Sequence, residues 1–218
     1  MESGRQFPDD LWVAPMPADI EPSAAVDVVH RGRFSADGSI RGNIGGSALA
    51  LTLQLPWPRG SAIGTLGDDP VSLAWALHAG DSRMSTLHGS VGPREVDVEG
   101  VFRREVDYQQ GQPVLGPFTG ASLQGTLAGN DLAATIETDR PDPIRGNSHK
   151  IVATGTFGSS AFEVFADLHR STGRGVRGTY AGQIVHLDIS RGDARVVGAC
   201  PALPAFSALV IAALLFFS

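Results

Sequence analysis

Basic side chains are concentrated in one short stretch of this sequence. His169, Arg170, Arg174 and Arg177 lie close together, and a second group contains Arg31, Arg33 and Arg41. Arginine forms charge-assisted hydrogen bonds with phosphate, and basic segments are attracted to anionic lipid head groups. An ordinary solvated loop carries the same residue types. The stretch therefore predicts either an anion or lipid contact or a plain surface loop.

Other residues whose side chains could take part in catalysis or metal binding do not form a recognisable pattern. Residues 173–178 spell G-x-G-x-x-G, but a dinucleotide-binding loop must open a helix, and this string leads into an alternating, strand-like segment. The histidines have no pairwise spacing typical of zinc ligands. They are His30, His78, His88, His149, His169 and His186. The sequence thus predicts no catalytic residue, no cofactor and no metal, and it favours a protein that is not an enzyme.

Composition restricts the function classes further. The net charge of −6 argues against a general nucleic-acid binder, which would present a basic face. Cys200 is the only cysteine, so an intramolecular disulfide is excluded. The N-terminus lacks a basic segment followed by an apolar one, so we expect no signal peptide and a cytoplasmic location.

The elements that must position these residues are indicated by a recurring unit. Each unit has the form apolar–x–Gly–x–apolar, then a glycine-containing turn, then residues that alternate between apolar and polar. Such alternation beside a tight turn predicts a β-hairpin, and a glycine inside the incoming strand marks a bulge, a sharp bend or a close backbone approach. The six marker glycines are Gly42, Gly64, Gly89, Gly125, Gly155 and Gly178.

Six hairpins predict an all-β fold of about twelve short antiparallel strands that closes into a barrel, because an open sheet of that size leaves exposed edges. We assign residues 1–25 to an extended or partly disordered arm and residues 26–198 to the barrel. The intervals Arg103–Ala121 and Asp139–Lys150 are loop-like, and Ser190–Gly198 reads as a short connector.

The last segment, residues 199–218, is apolar on every side and carries no charged side chain. A helix with no polar face is buried either in protein or in lipid. From Pro204 it would span roughly 22 Å, which is short for a hydrocarbon core of roughly 30 Å. We expect a C-terminal helix that fills the barrel; a membrane anchor through residues 199–218 is the alternative.

This layout resembles the tubby C-terminal-like superfamily, which includes the phospholipid scramblases. The resemblance covers residues Val26–Phe217 in layout alone, with no shared motif. It implies a twelve-stranded barrel around an apolar C-terminal helix and, since tubby proteins bind phosphoinositides through basic residues, an anionic lipid partner.

Three functions remain open at this point. The first is a non-catalytic β scaffold that binds a protein partner or an anionic lipid, with His169, Arg170, Arg174 and Arg177 as contacts. The second is a tail-anchored membrane protein with a cytoplasmic β domain. The third is an enzyme or small-ligand carrier with its site at a barrel mouth, which no motif supports.

Overall fold

A computed structural model describes residues 18, 20–30, 37–54, 59–77, 84–109, 111–138, 150–167, 175–190 and 195–199. These residues form fourteen β-strands, each paired antiparallel with the next in the sequence, and the first pairs with the last to close a barrel. The strands are β1 Ala24–His30, β2 Asp37–Ile44, β3 Ser47–Gln54, β4 Arg59–Leu66, β5 Asp69–Leu77, β6 Met84–Val91, β7 Arg94–Gln109, β8 Gln112–Leu127, β9 Asn130–Thr138, β10 Lys150–Phe157, β11 Ser160–Asp167, β12 Gly175–Tyr180, β13 Gln183–Ser190 and β14 Arg195–Ala199.

The all-β antiparallel barrel is thus confirmed, while the count of twelve strands is too low. The six predicted hairpins correspond to β2–β13. The two additional strands are β1 and β14, which pair with each other through Ala24–Gly198 and Val26–Val196. The prediction that Ser190–Gly198 is a connector is wrong for its second half. Residues 195–198 belong to β14, the strand that closes the barrel.

The interval Arg103–Ala121 is also not a loop. It belongs to β7 and β8, which are 16 residues long and pair almost to their tips at Gln109–Gln112. The other interval predicted to be loop-like is Asp139–Lys150. Its last residue, Lys150, begins β10, and residues 139–149 lie outside the described residues. The C-terminal helix predicted for residues 199–218 is likewise outside them, apart from Ala199, which ends β14.

The barrel wall has an apolar inner face. Inward positions that the sequence pattern predicted, such as Leu51, Leu73, Ile136 and Leu187, are each at most 5% exposed. Most positions between them are exposed, as in β3, where buried and exposed residues alternate strictly. Period-two alternation therefore separates a polar outer surface from an apolar interior.

Seven glycines, one in each even-numbered strand, lie very close to the backbone of the preceding strand. A Cβ atom added to any of them would lie 1.9–2.1 Å from a backbone carbonyl oxygen of the preceding strand. Only a residue without a side chain allows this approach. They are the six marker glycines and Gly198. The close backbone approach predicted as one reading of the six marker glycines is confirmed, and Gly198 makes the same approach in β14.

The two ends of the barrel differ in their connections. Even-numbered strands lead into odd-numbered ones at the end that we call the turn end, where every connection has two residues. Each turn donates a backbone hydrogen bond to the neighbouring part of the wall, for example from Gly67 N–H to Ala48 O in β3 (2.6 Å) and from Gly158 N–H to Asp131 O in β9 (2.7 Å). At the opposite end, the loop end, the connections range from two to eleven residues.

Candidate functional site

Of the four residues predicted to contact an anion, Arg177 is the one whose environment is described. It stands on the outer face of β12, directly opposite His186 of β13, yet it is only 7% exposed. His186 is 4% exposed and Asp167, on the outer face of β11, is 1% exposed. Arg177, His186 and Asp188 are in contact and form what we call the outer polar cluster.

The guanidinium of Arg177 is bound within the protein. Its Nη1 donates to the carbonyl oxygen of Leu187 (2.7 Å) and to that of Val176 (3.1 Å), and its Nη2 donates to the Asp188 carboxylate. A buried cation needs such a partner, because an unpaired charge removed from water is costly. Arg177 therefore joins β12 to β13, and its donors are directed at the protein rather than outward.

His186 occupies an environment that favours its neutral form. Burial lowers the pKa of its imidazole, and the nearby Arg177 cation lowers it further, while Asp188 acts in the opposite direction. Its Nε2 lies 3.5 Å from Asp188 Oδ2, beyond good hydrogen-bonding distance. The cluster can therefore hold two strands together and can respond to protons.

A second His–Asp pair lies on the exposed wall. His88 Nδ1 of β6 is 2.6 Å from Asp97 Oδ1 of β7, and both side chains are 55% exposed. Within the described ranges, no group of His, Cys, Asp and Glu is arranged to hold a metal ion. The same part of the chain contains no helix long and apolar enough to cross a membrane.

The remaining predicted contacts, His169, Arg170 and Arg174, lie outside the described residues, and so do Arg31 and Arg33. The strands that flank them are described. Asp167 and Gly175 bound residues 168–174, and His30 and Asp37 bound residues 31–36; all four boundary residues are at the loop end. Residues 31–36 and 168–174, which are far apart in sequence, thus connect strands at the same end of the barrel, whereas Arg41 lies within β2.

Charge is distributed unevenly between the connections at the two ends. Residues 31–36, 55–58, 78–83, 110–111, 139–149, 168–174 and 191–194, which connect strands at the loop end, contain eight arginines and four aspartates. The six turn-end connections contain no arginine and one aspartate, Asp68. In a chain with a net charge of −6, the loop end therefore collects an excess of positive charge.

The outer polar cluster was not predicted, although a signal for it exists. A two-residue turn fixes the register of the strands that it joins. The turn Ala181–Gly182 therefore sets Arg177 opposite His186, as the structure has it. Placing the pair on the outer face and recognising its burial require the closed barrel as well.

Comparison with known proteins yields no relative: no family model matches, and no curated protein or solved structure matches the chain. The resemblance to the tubby superfamily accordingly stays a prediction.

Proposed function

We propose that this protein is a non-catalytic β scaffold that binds anionic lipid head groups through the loop end of its barrel. The observation that carries the proposal is the distribution of arginine, with eight in the loop-end connections and none in the turn-end connections. Several cations gathered at one end attract a negative membrane surface, at about 1 kcal/mol for each residue near it. His169, Arg170 and Arg174 are the proposed contacts; Arg177 supports them by joining β12 to β13.

The proposal includes a role for the apolar C-terminal segment. A closed barrel of more than about eight strands has a lumen that its own wall side chains do not fill. Inner-face residues from strands all around this barrel are nonetheless almost inaccessible to water, among them Val71, Val98 and Leu187. A helix formed by residues 204–218 has the apolar character needed to occupy such a lumen.

The membrane-anchor alternative requires a different orientation of the barrel relative to the bilayer. β14 ends with Ala199 at the turn end, beside Ala24 and the Gly45–Gly46 turn. An anchor that starts at residue 200 would hold the turn end close to the bilayer, and the loop end would face away from that bilayer. Anchoring by the tail and binding by the loop end therefore cannot use the same membrane surface.

Vesicle co-sedimentation tests the lipid proposal. Phosphatidylcholine vesicles with an increasing fraction of phosphatidylserine are mixed with wild-type protein and with an Arg170→Gln/Arg174→Gln variant. Wild-type binding should increase with phosphatidylserine and weaken with salt, because screening shortens the reach of the charges. Loss of two cations, at about 1 kcal/mol each, should reduce partitioning by about 30-fold at low salt.

A matched control removes two cations elsewhere. Arg41 is exposed on β2, and Arg94 lies at the turn end, where it pairs with Asp69 at 2.5 Å. An Arg41→Gln/Arg94→Gln variant should bind like wild type although its net charge equals that of the loop-end variant. Equal loss in the two variants would show attraction by net charge alone, and binding that ignores both lipid composition and salt would refute the proposal.

A further inference from the structure

One sector of the outer wall is buried, although it faces away from the barrel interior. Residues paired directly across neighbouring strands share a face of the sheet. One such row crosses β10–β14 on the outer face, and its five members are paired in succession from strand to strand. We call it the outer row: Val152, Phe165, Arg177, His186 and Ala199. Val152 and Ala199, at its two ends, are each 1% exposed, and Arg177 and His186 between them are buried as well.

Outward side chains in other parts of the wall are open to water. Ile63 of β4 is 59% exposed and Val101 of β7 is 41% exposed. All fourteen strands belong to the wall itself, and an antiparallel sheet with one face on the core leaves its other face to solvent. The outer row must therefore lie under a second layer of chain.

The chemistry of the outer row indicates what this second layer contains. Arg177 Nε and His186 Nε2 are buried and have no hydrogen-bond partner among the described residues. Buried polar atoms normally have a partner, and a carboxylate is the strongest acceptor for a guanidinium N–H. Val152, Phe165 and Ala199 surround this polar centre with apolar surface. The row therefore fits a segment that carries carboxylates beside large apolar side chains.

Of the segments outside the described residues, one has this composition. Residues 1–17 include the run Asp9–Val13, in which two aspartates directly precede leucine, tryptophan and valine. Residues 168–174 contain two arginines and no acidic residue, so they would repel the Arg177 guanidinium. Residues 200–218 contain no charged side chain and cannot pair with it.

The N-terminal arm also leaves the barrel where the outer row ends. Residues 20–23 lead into β1, whose first residue, Ala24, pairs with β14 next to Ala199. From Ala199 to Val152 the row crosses four strand spacings, about 19 Å at about 4.8 Å for each. The chain from Val13 to Ala24 can span up to about 35 Å. The acidic and aromatic part of the arm can therefore reach every position of the row.

We propose that residues 1–17 lie across the outer face of β10–β14 as a strap, with the Asp9–Asp10 pair beside Arg177 and with Trp12 among the apolar side chains of the outer row. The side chain of Asp188 is 62% exposed and marks the edge of the covered surface. The contact does not involve the loop-end connections, so it does not rest on the proposed lipid binding. It makes the acidic arm part of the folded barrel and shields the strands that close it.

Thiol accessibility in the full chain tests this inference. Cys200, the only cysteine, is replaced by serine, and Val152→Cys places a single thiol in the outer row. The uncharged reagent N-ethylmaleimide should modify this thiol slowly. Asp9→Lys/Asp10→Lys brings like charges together at Arg177, and it should raise the rate about tenfold or more, the change expected when a charge-assisted hydrogen bond is lost.

Three controls separate release of the arm from general opening of the barrel. Glu95→Lys/Glu99→Lys makes the same change of net charge at exposed positions of β7 and should leave the rate unchanged. Val71→Cys, on the inner face of β5, should stay protected in every variant. Ala199→Cys repeats the measurement at the other end of the outer row, in case Val152→Cys disturbs folding.

Each of the other results overturns the inference. Fast modification at position 152 with the native arm would show that the outer row is open. An unchanged rate in the Asp9→Lys/Asp10→Lys variant would assign the cover to another segment. An equal increase in the β7 variant, or at position 71, would show a general loss of structure. Protection that is lost on dilution would show that the arm of a second copy covers the row, and the intramolecular contact would be wrong.

Discussion

The turn end and the loop end of this barrel follow opposite rules. At the turn end every connection has two residues, and each turn donates a backbone hydrogen bond to the neighbouring part of the wall. At the loop end the connections range from two to eleven residues, contain eight arginines and include the tip of the long β7–β8 hairpin. Connections of uniform length indicate a structural requirement, whereas connections of variable length on a rigid scaffold are typical of binding surfaces. This difference supports the proposal that the loop end is the binding surface and the turn end its framework.

The largest expected effect comes from the segment that leaves the turn end. If residues 204–218 fill the lumen, their deletion exposes the apolar inner wall. Each large apolar side chain contributes about 1.5–3 kcal/mol when buried, so the loss exceeds the usual net stability of about 5–15 kcal/mol. Residues 1–203 should then aggregate or fail to melt cooperatively in a thermal scan. Leu209→Asp in the full chain should also be severe, because it buries an unpaired carboxylate.

The opposite outcome of the truncation would change which end of the barrel we expect to face a membrane. A soluble, cooperatively melting fragment would show that the lumen does not need the tail, and it would favour the membrane anchor. The turn end would then be the membrane-facing end. Vesicle binding by that fragment, measured with the loop-end variant beside it, would show whether the loop end still contacts lipid.

The next largest loss of stability is expected at the glycines where strands approach closely. Two alanine substitutions separate steric crowding from backbone strain as its cause. At Gly155 an added Cβ would lie 2.1 Å from Ala133 O and 2.7 Å from Ala134 Cα, which are backbone atoms that cannot move aside. Gly155→Ala should cost about 3 kcal/mol, the upper part of the usual range for overpacking. Urea unfolding provides the measurement.

Gly182 is the control, because it differs from Gly155 in having space. Its φ is +74°, and an added Cβ would meet nothing within 4 Å. Gly182→Ala should therefore cost only about 1 kcal/mol of left-handed strain, and Ala181 already adopts φ +50° in the same turn. Similar losses at the two positions would mean that backbone strain, rather than close strand approach, explains the glycines.

Much of the framework could be predicted because its signals are local. Period-two alternation and glycine at the turns identified β2–β13 apart from the outer parts of β7 and β8, and the marker glycines identified the places where strands approach closely. β14 was missed because it is five residues long and pairs with β1 from the other end of the chain. Its Val196-x-Gly198-x-Cys200 nevertheless has the apolar–x–Gly–x–apolar form of the other six repeats.

The β7–β8 hairpin was missed for a different reason. Gly111, Pro113, Gly116 and Pro117 are typical of a loop in a single sequence. Proline is tolerated in a strand where no further strand requires its missing N–H, and among the described residues β9 pairs with β8 only from Gly120 onward. The outer polar cluster needed knowledge of three-dimensional closure, since Arg177 and His186 read locally as ordinary polar positions on a solvated face.

The smallest expected effect lies in the closing repeat, where His186 is buried on β13. Its backbone oxygen is the atom that approaches the bend glycine Gly198. Because its pKa in the folded protein is lowered, the unfolded chain binds a proton at a higher pH than the folded chain does. The free energy of unfolding should therefore decrease as the pH falls from the ordinary value of 6.5 toward the lowered pKa, and this contribution is fully present above 6.5.

Chemical denaturation between pH 7.5 and 5 measures this dependence, with His186→Gln and His88→Gln compared to wild type. His186→Gln removes the titrating group, so the slope of stability against pH in this interval should become shallower. His88→Gln, at an exposed histidine paired with Asp97, is the control variant. A slope that His186→Gln leaves unchanged would contradict the prediction. A flattened slope only in His186→Gln would place the proton response beside Arg177, in the strand pair that leads to the basic loop end.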